Sequence, residues 1–564
     1  MKLLIENREV TALPGQSLRQ IVAQMDLDSP IFSQKPIAAK LSGEVFNLNY
    51  IPVREKDIYE RSSIRRAMAA SGGVVELLRY TDPVGREVYE RTARFVLFLA
   101  LHRLWPGKRA QLGTTLGSAL YVSVAGEDFS WERLRSEVES LIAQDIPLIR
   151  RQMSTEEAMR VFTAAGDADK AWLLSMRKTE TFGCYGYEDF LDYYYGEMAP
   201  STGYVQVWDI LPAEGGFFFI FPDDACPDRV AEYEAMPRVF EVCQEGDRWC
   251  ELMECRTVGD LNDLTQSGKI RELIRVNEAL HEKRYAQVAD MVCERGAKIV
   301  MLAGPSSSGK TTSANRLAIQ LRVHGKKPVL MGLDDYYIDR DKIAPGPDGT
   351  IDFEHINTID TELFRQNLKD LLAGREVELP TFDFKTGSRV WKGHKFQMSE
   401  NTVIIIEGLH ALNPMLIPEG LDKNKIFKFY ICPLIPLSLD DHNRIPASNL
   451  RLLRRIVRDL EGRGATVQRT MSMWDSVRRG EKRWIFPFRE QADVIFNTST
   501  LYELAVIKKH IFPLLTAIEP EESCYEQVRG LVKILNYVEA ADVDDEIPPT
   551  SLLREFIGGN TFYK

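Results

Sequence analysis

The chain contains no apolar run near the ~20 residues that span a bilayer, so no membrane-crossing helix is expected. Its eight cysteines are scattered, without a C-x-x-C pair. The closest two, Cys250 and Cys255, have no histidine pair to complete a zinc site. They read as reduced thiols in a cytoplasmic protein. Met1 to Val10 carries Glu6, Arg8 and Glu9, which excludes a signal peptide reading. No internal repeat of fixed period is visible. Basic residues are in deficit, 71 Lys and Arg against 82 Asp and Glu, giving a net charge of −11. That argues against a large nucleic-acid surface and leaves room only for a local basic patch. The remainder is ordinary for a soluble protein, 44% hydrophobic and 27% charged. A length of 564 residues suggests about three or four domains.

One stretch stands out, Gly304-Pro305-Ser306-Ser307-Ser308-Gly309-Lys310-Thr311. It has the spacing G-x-x-x-x-G-K-[ST] of a phosphate-binding loop. Its glycines let the backbone curl until successive N–H groups converge on one anion. Lys310 supplies a positive charge for the β- and γ-phosphates, and the Thr311 hydroxyl suits Mg²⁺. Lys298 to Ala303 before it has the length of a buried strand, and Thr312 to Leu321 after it has apolar residues at helical spacing. Nucleotide-phosphate contact is therefore assigned to Gly304, Ser306, Ser307, Ser308, Gly309, Lys310, Thr311 and Thr312.

Around this loop, residues 297–520 alternate strands and helices. Pro328–Leu333, Thr402–Ile406, Ile426–Ile431 and Ala492–Phe496 are near-continuous apolar runs, as expected of a parallel sheet covered on both faces. Ligands bind such sheets at the strand C-termini. Asp334 follows the second strand and reads as the general base or as a turn residue. Glu407 follows the third and suits a Mg²⁺-bound water. Arg451, Arg454, Arg455 and Arg458 fall on one face of a predicted helix, opposite Leu453, Ile456, Val457 and Leu460. An arginine face beside a phosphate site offsets charge on a transferring phosphoryl group.

The N-terminal half reads differently. Residues 1–62 are β-rich: Lys2–Ile5 is a short strand, Ser17 caps a helix through Leu18, Ile21, Val22 and Met25, and Ser42-Gly43 turns a hairpin. Residues 63–225 hold a helix around Phe95–Leu101, a strand at Ala119–Val124 and an amphipathic segment from Trp131 to Ile149. Residues 226–296 read as a connecting segment and a helix from Ile270 to Arg295 that Gly296 stops. Residues 521–564 form a C-terminal segment.

These motifs carry resemblances. Residues 1–62 resemble the TGS domain, a β-grasp module, and 63–225 resemble the editing domain of threonyl-tRNA synthetase. Arg91 and Phe95 stand where that domain's H-x-x-x-H pair would be, and His102 and Cys184 are the only other ligand types in the region, so no zinc chemistry is expected there. Residues 297–520 resemble the uridine kinase and phosphoribulokinase family. Asp334-Asp335-Tyr336-Tyr337 resembles D-S-[FY]-[YF], Phe353-Glu354-His355 resembles F-D-H, and Pro380 to Phe384 resembles P-x-Y-D-F. Glu407-Gly408 matches E-G, and Arg454 to Gly464 matches the lid segment R-R-x-x-R-D…R-G.

The resemblance implies a P-loop α/β kinase using ATP and Mg²⁺. Its catalytic residues would be Asp334, Lys310, Arg455 and Arg458. The loop residues assigned to phosphate contact would hold ATP, assisted by Arg463, with Thr311 and Glu407 at the metal. Tyr337, Glu354, Phe382, Phe384 and Arg455 would bind the substrate, a nucleoside phosphorylated at its 5′-hydroxyl. Gly387, Ala465 and Met473 replace polar base-reading residues of the family, which implies altered base selectivity. A homo-oligomer is expected, with possible RNA contact through the N-terminal domains. The alternative, a nucleotide-switched RNA-binding or ribosome-associated regulator, is disfavoured by the lack of N-K-x-D: Asn424-Lys425 runs into Ile426-Phe427.

Overall fold

A computed structural model describes residues 2–41, 43–52, 73–126, 129–176, 181–344, 352–383, 385–519 and 521–562. The chain divides into two units. One comprises Met1–Ala235 and Leu439–Arg444, the other Met236–Ser438 and Ile445–Lys564. No described helix is long and apolar enough to cross a membrane.

The first unit begins with a five-stranded sheet ordered Arg8–Thr11, Lys2–Ile5, Val74–Leu78, Ala38–Leu41, Glu44–Asn47. Lys2–Ile5 and Val74–Leu78 run parallel, and the other neighbours antiparallel. Val74–Leu78 lies beyond the boundary at 62 expected from sequence, so the β-rich part reaches further along the chain. Helix Leu18–Gln24 starts with a capping box, Ser17 accepting from the Gln20 N–H and the Gln20 side chain accepting from the Ser17 N–H. It buries Leu18, Ile21 and Val22 among Leu3, Ile5, Ala39 and Leu77. The hairpin residue Ser42 and the 62/63 boundary lie outside the described residues.

The rest of this unit packs the 22-residue helix Pro83–Leu104 and helix Trp131–Ala143 on an antiparallel sheet, Asp209–Ala213, Gly216–Ile220, Ala119–Val124, Ala110–Leu116. The amphipathic segment is shorter than its apolar pattern suggested. Its helix ends at Ala143, because Asp145 takes a left-handed backbone (φ 46°) and Ile149 is turned outward. Arg91 donates to the Glu197 carbonyl, and Glu197 also accepts from Arg150 and Tyr185. Phe95 is closed to solvent against Phe190. Cys184 is buried, and burial pushes its thiol up to about 11. The segment Leu439–Arg444 completes the unit. Asp192 meets Lys170 at 2.8 Å and His442 at 2.6 Å, and His442 stacks on Phe98. Burial opposes ionisation of Asp192, but Lys170 and His442 hold its carboxyl well below the usual range.

The second unit is built on an all-parallel sheet ordered Lys327–Gly332, Thr402–Glu407, Ile299–Ala303, Ile426–Cys432, Val494–Asn497. Every residue of Ile299–Ala303 is buried, as a central parallel strand requires. Helix Ile270–Arg295 ends at Gly296 in the left-handed region, as its sequence predicted, and packs beside helix Lys310–Val323 through Tyr285, Val288 and Leu317. Part of the expected connecting segment is ordered helix: Pro237–Leu252 and Val258–Gln266, the latter with a Thr257–Asp260 capping box.

Candidate active site

The phosphate loop follows Ile299–Ala303 and opens helix Lys310–Val323. Ser307 (φ 60°) and Gly309 (φ 86°) are left-handed, which reverses the chain and turns its N–H groups inward. Gly304 has no alternative: a Cβ there would sit 2.4 Å from the Ile431 carbonyl oxygen. The hydroxyls of Ser307 and Ser308 are buried without a hydrogen-bond partner among the described residues, so both keep donor capacity for a ligand.

The strand ends bring acidic groups to this loop. Glu407, the last residue of Thr402–Glu407, accepts from the Thr311 hydroxyl at 3.2 Å. Burial pushes Glu407 up to about 7, with Lys310 acting against that. Lys310 bonds the carbonyls of Gly304 and Pro305, at 3.1 and 3.2 Å. Burial lowers its ammonium pKa, while Glu407, Asp334 and Glu555 oppose the shift. Asp334 lies in the single turn Leu333–Tyr336 that follows Lys327–Gly332. It is exposed and hydrogen-bonded to the Tyr337 hydroxyl. Asp335 instead accepts from the Phe382 N–H at 3.2 Å. The two adjacent aspartates thus have different partners.

The residues expected to bind the substrate lie on three segments. Glu354 packs on Gly480, whose Cβ would fall 2.4 Å from the Glu354 Cβ. Burial and then Glu481 push the Glu354 carboxyl up to about 7, against Arg455 and Lys310. His410 hydrogen-bonds the Glu354 backbone, and burial lowers its imidazole to about 4. Phe382, on a strand paired with Ser388–Phe396, meets the Tyr337 ring edge-on at 5.6 Å. Gly387 is left-handed (φ 70°), and the Arg340 side chain fills the space a Cβ would need. Met473 is 46% exposed. Phe384 and the Arg463 side chain lie outside the described residues.

The four arginines of the predicted face do not share one environment. Helix Ala447–Arg463 is covered on both sides, and Arg451, Arg454 and Arg455 are all buried. Arg451 binds Glu481 bidentately, at 2.6 Å through each nitrogen, and Glu481 also accepts from the Ser306 N–H. Arg454 is tied to Glu503 and to the Thr498 carbonyl. All four arginines meet a buried carboxylate: Arg451 and Arg454 each hold a glutamate, while Arg455 and Arg458 share Asp459, at 3.4 and 3.0 Å. Arg455 donates to the Ser306 hydroxyl at 3.0 Å, and Arg458 bonds Asp459 at 3.0 Å. Those two remain the arginines free of a buried glutamate partner among the described contacts.

Residues 299–504 match the profile of the phosphoribulokinase / uridine kinase family. A uridine kinase of Macrococcus caseolyticus is 33% identical over 198 residues, 35% of this chain and 86% of that protein. A uridine kinase of Ligilactobacillus salivarius is 32% identical over 198 residues, 35% of this chain and 83% of that protein. The chain belongs to the phosphoribulokinase / uridine kinase family. Among solved structures, a D-glycerate 3-kinase of Cryptococcus neoformans matches at 18% identity and a TM-score of 0.20, over 48% of this chain and 88% of that one.

The phosphoribulokinase / uridine kinase match stops at residue 504, short of one group that reaches the phosphate loop. Glu555 accepts from the Thr312 N–H at 3.2 Å and from its hydroxyl at 2.7 Å. Sequence reasoning missed Glu555, Glu481 and His410. His410 had a local signal, three residues after Glu407. The two glutamates had none, because only the folded chain brings them to the loop.

Proposed function

We propose that this chain is an ATP-dependent kinase that phosphorylates the 5′-hydroxyl of a nucleoside. The observation that supports this best is the meeting of Asp334, Glu407 and Arg455 around one phosphate loop, at the C-terminal edge of a parallel sheet. ATP phosphates would rest on the loop N–H groups from Gly304 to Thr312. Asp334, held by Tyr337, orients the acceptor hydroxyl and takes its proton. Lys310, Arg455 and Arg458 carry the charge that spreads over the transferring phosphoryl group. Glu354 accepts from the ribose hydroxyls, and Phe382 with Tyr337 gives the nucleoside an aromatic wall.

Thr311 and Glu407 present two hard oxygen atoms 3.2 Å apart, a donor pair that suits Mg²⁺ sharing its remaining positions with phosphate oxygens and water. Bound there, the ion would neutralise phosphate charge. Base selectivity should differ from ordinary uridine kinases, because Gly387, Ala465 and Met473 offer no polar group to a base edge. We extend the TGS-like and editing-domain-like reading of the N-terminal unit to RNA contact.

The test is a coupled ATP-consumption assay across uridine, cytidine, adenosine, guanosine and inosine, with ribulose 5-phosphate and pantothenate as non-nucleoside alcohols. Turnover of a nucleoside is expected. Activity only on another alcohol would overturn the nucleoside assignment. Strict preference for uridine and cytidine would refute altered base selectivity. Filter binding with bulk tRNA separately tests the N-terminal reading.

A further inference from the structure

We infer that Glu555 is an affinity-setting residue of the nucleotide site, competing with a nucleotide phosphate for the Thr312 donors. The inference rests on the kinase reading above.

Thr312 lies in the first turn of the 14-residue helix Lys310–Val323. Its N–H is one of the four that a helix leaves without an internal partner, and it faces the end that favours an anion. A nucleotide phosphate uses that property of a phosphate loop. Glu555 uses it too: one carboxylate oxygen accepts from both the N–H and the hydroxyl of Thr312. Asn560 adds a contact to the same hydroxyl at 3.4 Å. The carboxylate is also close enough to the site to act on Lys310 and Glu407.

The segment bearing Glu555 is built against the loop. Leu552 is buried over Gly309, where an added Cβ would lie 2.6 Å from its side chain. Ser551 donates to Glu278 at 2.7 Å, and Glu278 accepts from Tyr502 as well. Phe556 is buried with the Arg454 guanidinium 5.1 Å from its ring centre. These anchors use buried apolar groups and hydrogen bonds that no nucleotide needs. Glu555 and Asn560 instead bond atoms that a phosphate would take.

The second carboxylate on the loop makes a useful contrast. Glu481 accepts from the Ser306 N–H, but its charge is matched by the bidentate Arg451. It can stay when an anion arrives. Glu555 would place an anionic oxygen beside phosphate oxygens, so it must withdraw from Thr312 or weaken binding. Nucleotide affinity is then set by the balance between two anions for one N–H.

The experiment measures ATP binding by calorimetry for the wild type and Glu555→Gln, with hydrogen exchange of residues 553–562 in the wild type with and without ATP. Glutamine keeps the acceptor and the shape. The variant should bind ATP about three- to tenfold tighter, and ATP should raise exchange in 553–562 while Ser551 and Leu552 stay protected. Equal or weaker binding by Glu555→Gln would overturn the competition, as would exchange in 553–562 that ATP leaves unchanged or slows. If the wild type binds no ATP at all, the kinase reading itself falls, a result distinct from binding without a response in this segment.

Discussion

Arg454 and Glu503 form an ion pair of 2.7 Å in which both side chains are 1% exposed. Burial raises the Glu503 carboxyl and Arg454 opposes it. Truncating either partner strands the other charge away from water. We expect Arg454→Ala to lose about 3–5 kcal/mol of stability, read as a fall in denaturation midpoint. Arg458→Ala should melt near the wild type and lose roughly 10²–10³ in kcat. An Arg454→Ala protein as stable as the wild type would refute the assignment of this arginine to the fold.

Lys310 is the charge nearest the loop carbonyls of Gly304 and Pro305. Lys310→Ala removes it without opening the buried sheet. The variant should keep its circular dichroism spectrum and lose nearly all phosphoryl transfer. Normal turnover by that folded variant would refute the site.

The two aspartates after the second strand should separate in kinetics. Asp334→Asn keeps the shape, removes the proton acceptor, and should cost roughly 10²–10⁴ in kcat with ATP binding retained. Asp335→Asn keeps an oxygen for the Phe382 N–H and should cost much less. If Asp335→Asn proves the more damaging, the roles are reversed.

Glu354 sets a pH dependence. Its carboxyl is raised to about 7, so it is about one-tenth ionised at pH 6 and about nine-tenths at pH 8. A ribose hydroxyl donates best to the ionised form, so KM for the nucleoside should fall as pH rises across this window. Glu354→Gln should flatten the profile. Stability runs the other way for this group. The folded state holds its proton more tightly than the unfolded chain, so its contribution is fully present below about pH 4.5 and lost as pH rises through about 7. A KM that rises with pH in the wild type would contradict the role.

The sheet of the second unit was readable because its strands are buried on both faces, which leaves runs such as Ile299–Ala303 with no polar interruption. The loop was readable because its chemistry is local. The sequence could not separate Arg451 and Arg454 from Arg455 and Arg458, for a physical reason. Helical spacing tells which residues share a face, and not what faces them. Here the opposing groups are Glu481 and Glu503, 30 and 49 residues further on. Val74–Leu78 was missed because it joins its sheet after a long excursion, beside the strand that opens the chain. Glu555 reaches Thr312 across 243 residues, beyond any pattern that a window of sequence carries.

The segment Leu439–Arg444 has a consequence for synthesis. It supplies His442 to Asp192 and Asp441 to Arg109 in the first unit, although that unit's main stretch ends at Ala235. At ribosomal speeds of about 5–20 residues per second, its last piece emerges roughly 10–40 s after the rest. Until then Lys170 and Asp192 hold each other without the imidazole. The N-terminal unit is thus translated early and finished late, and a ribosome stalled before residue 439 would carry it incomplete.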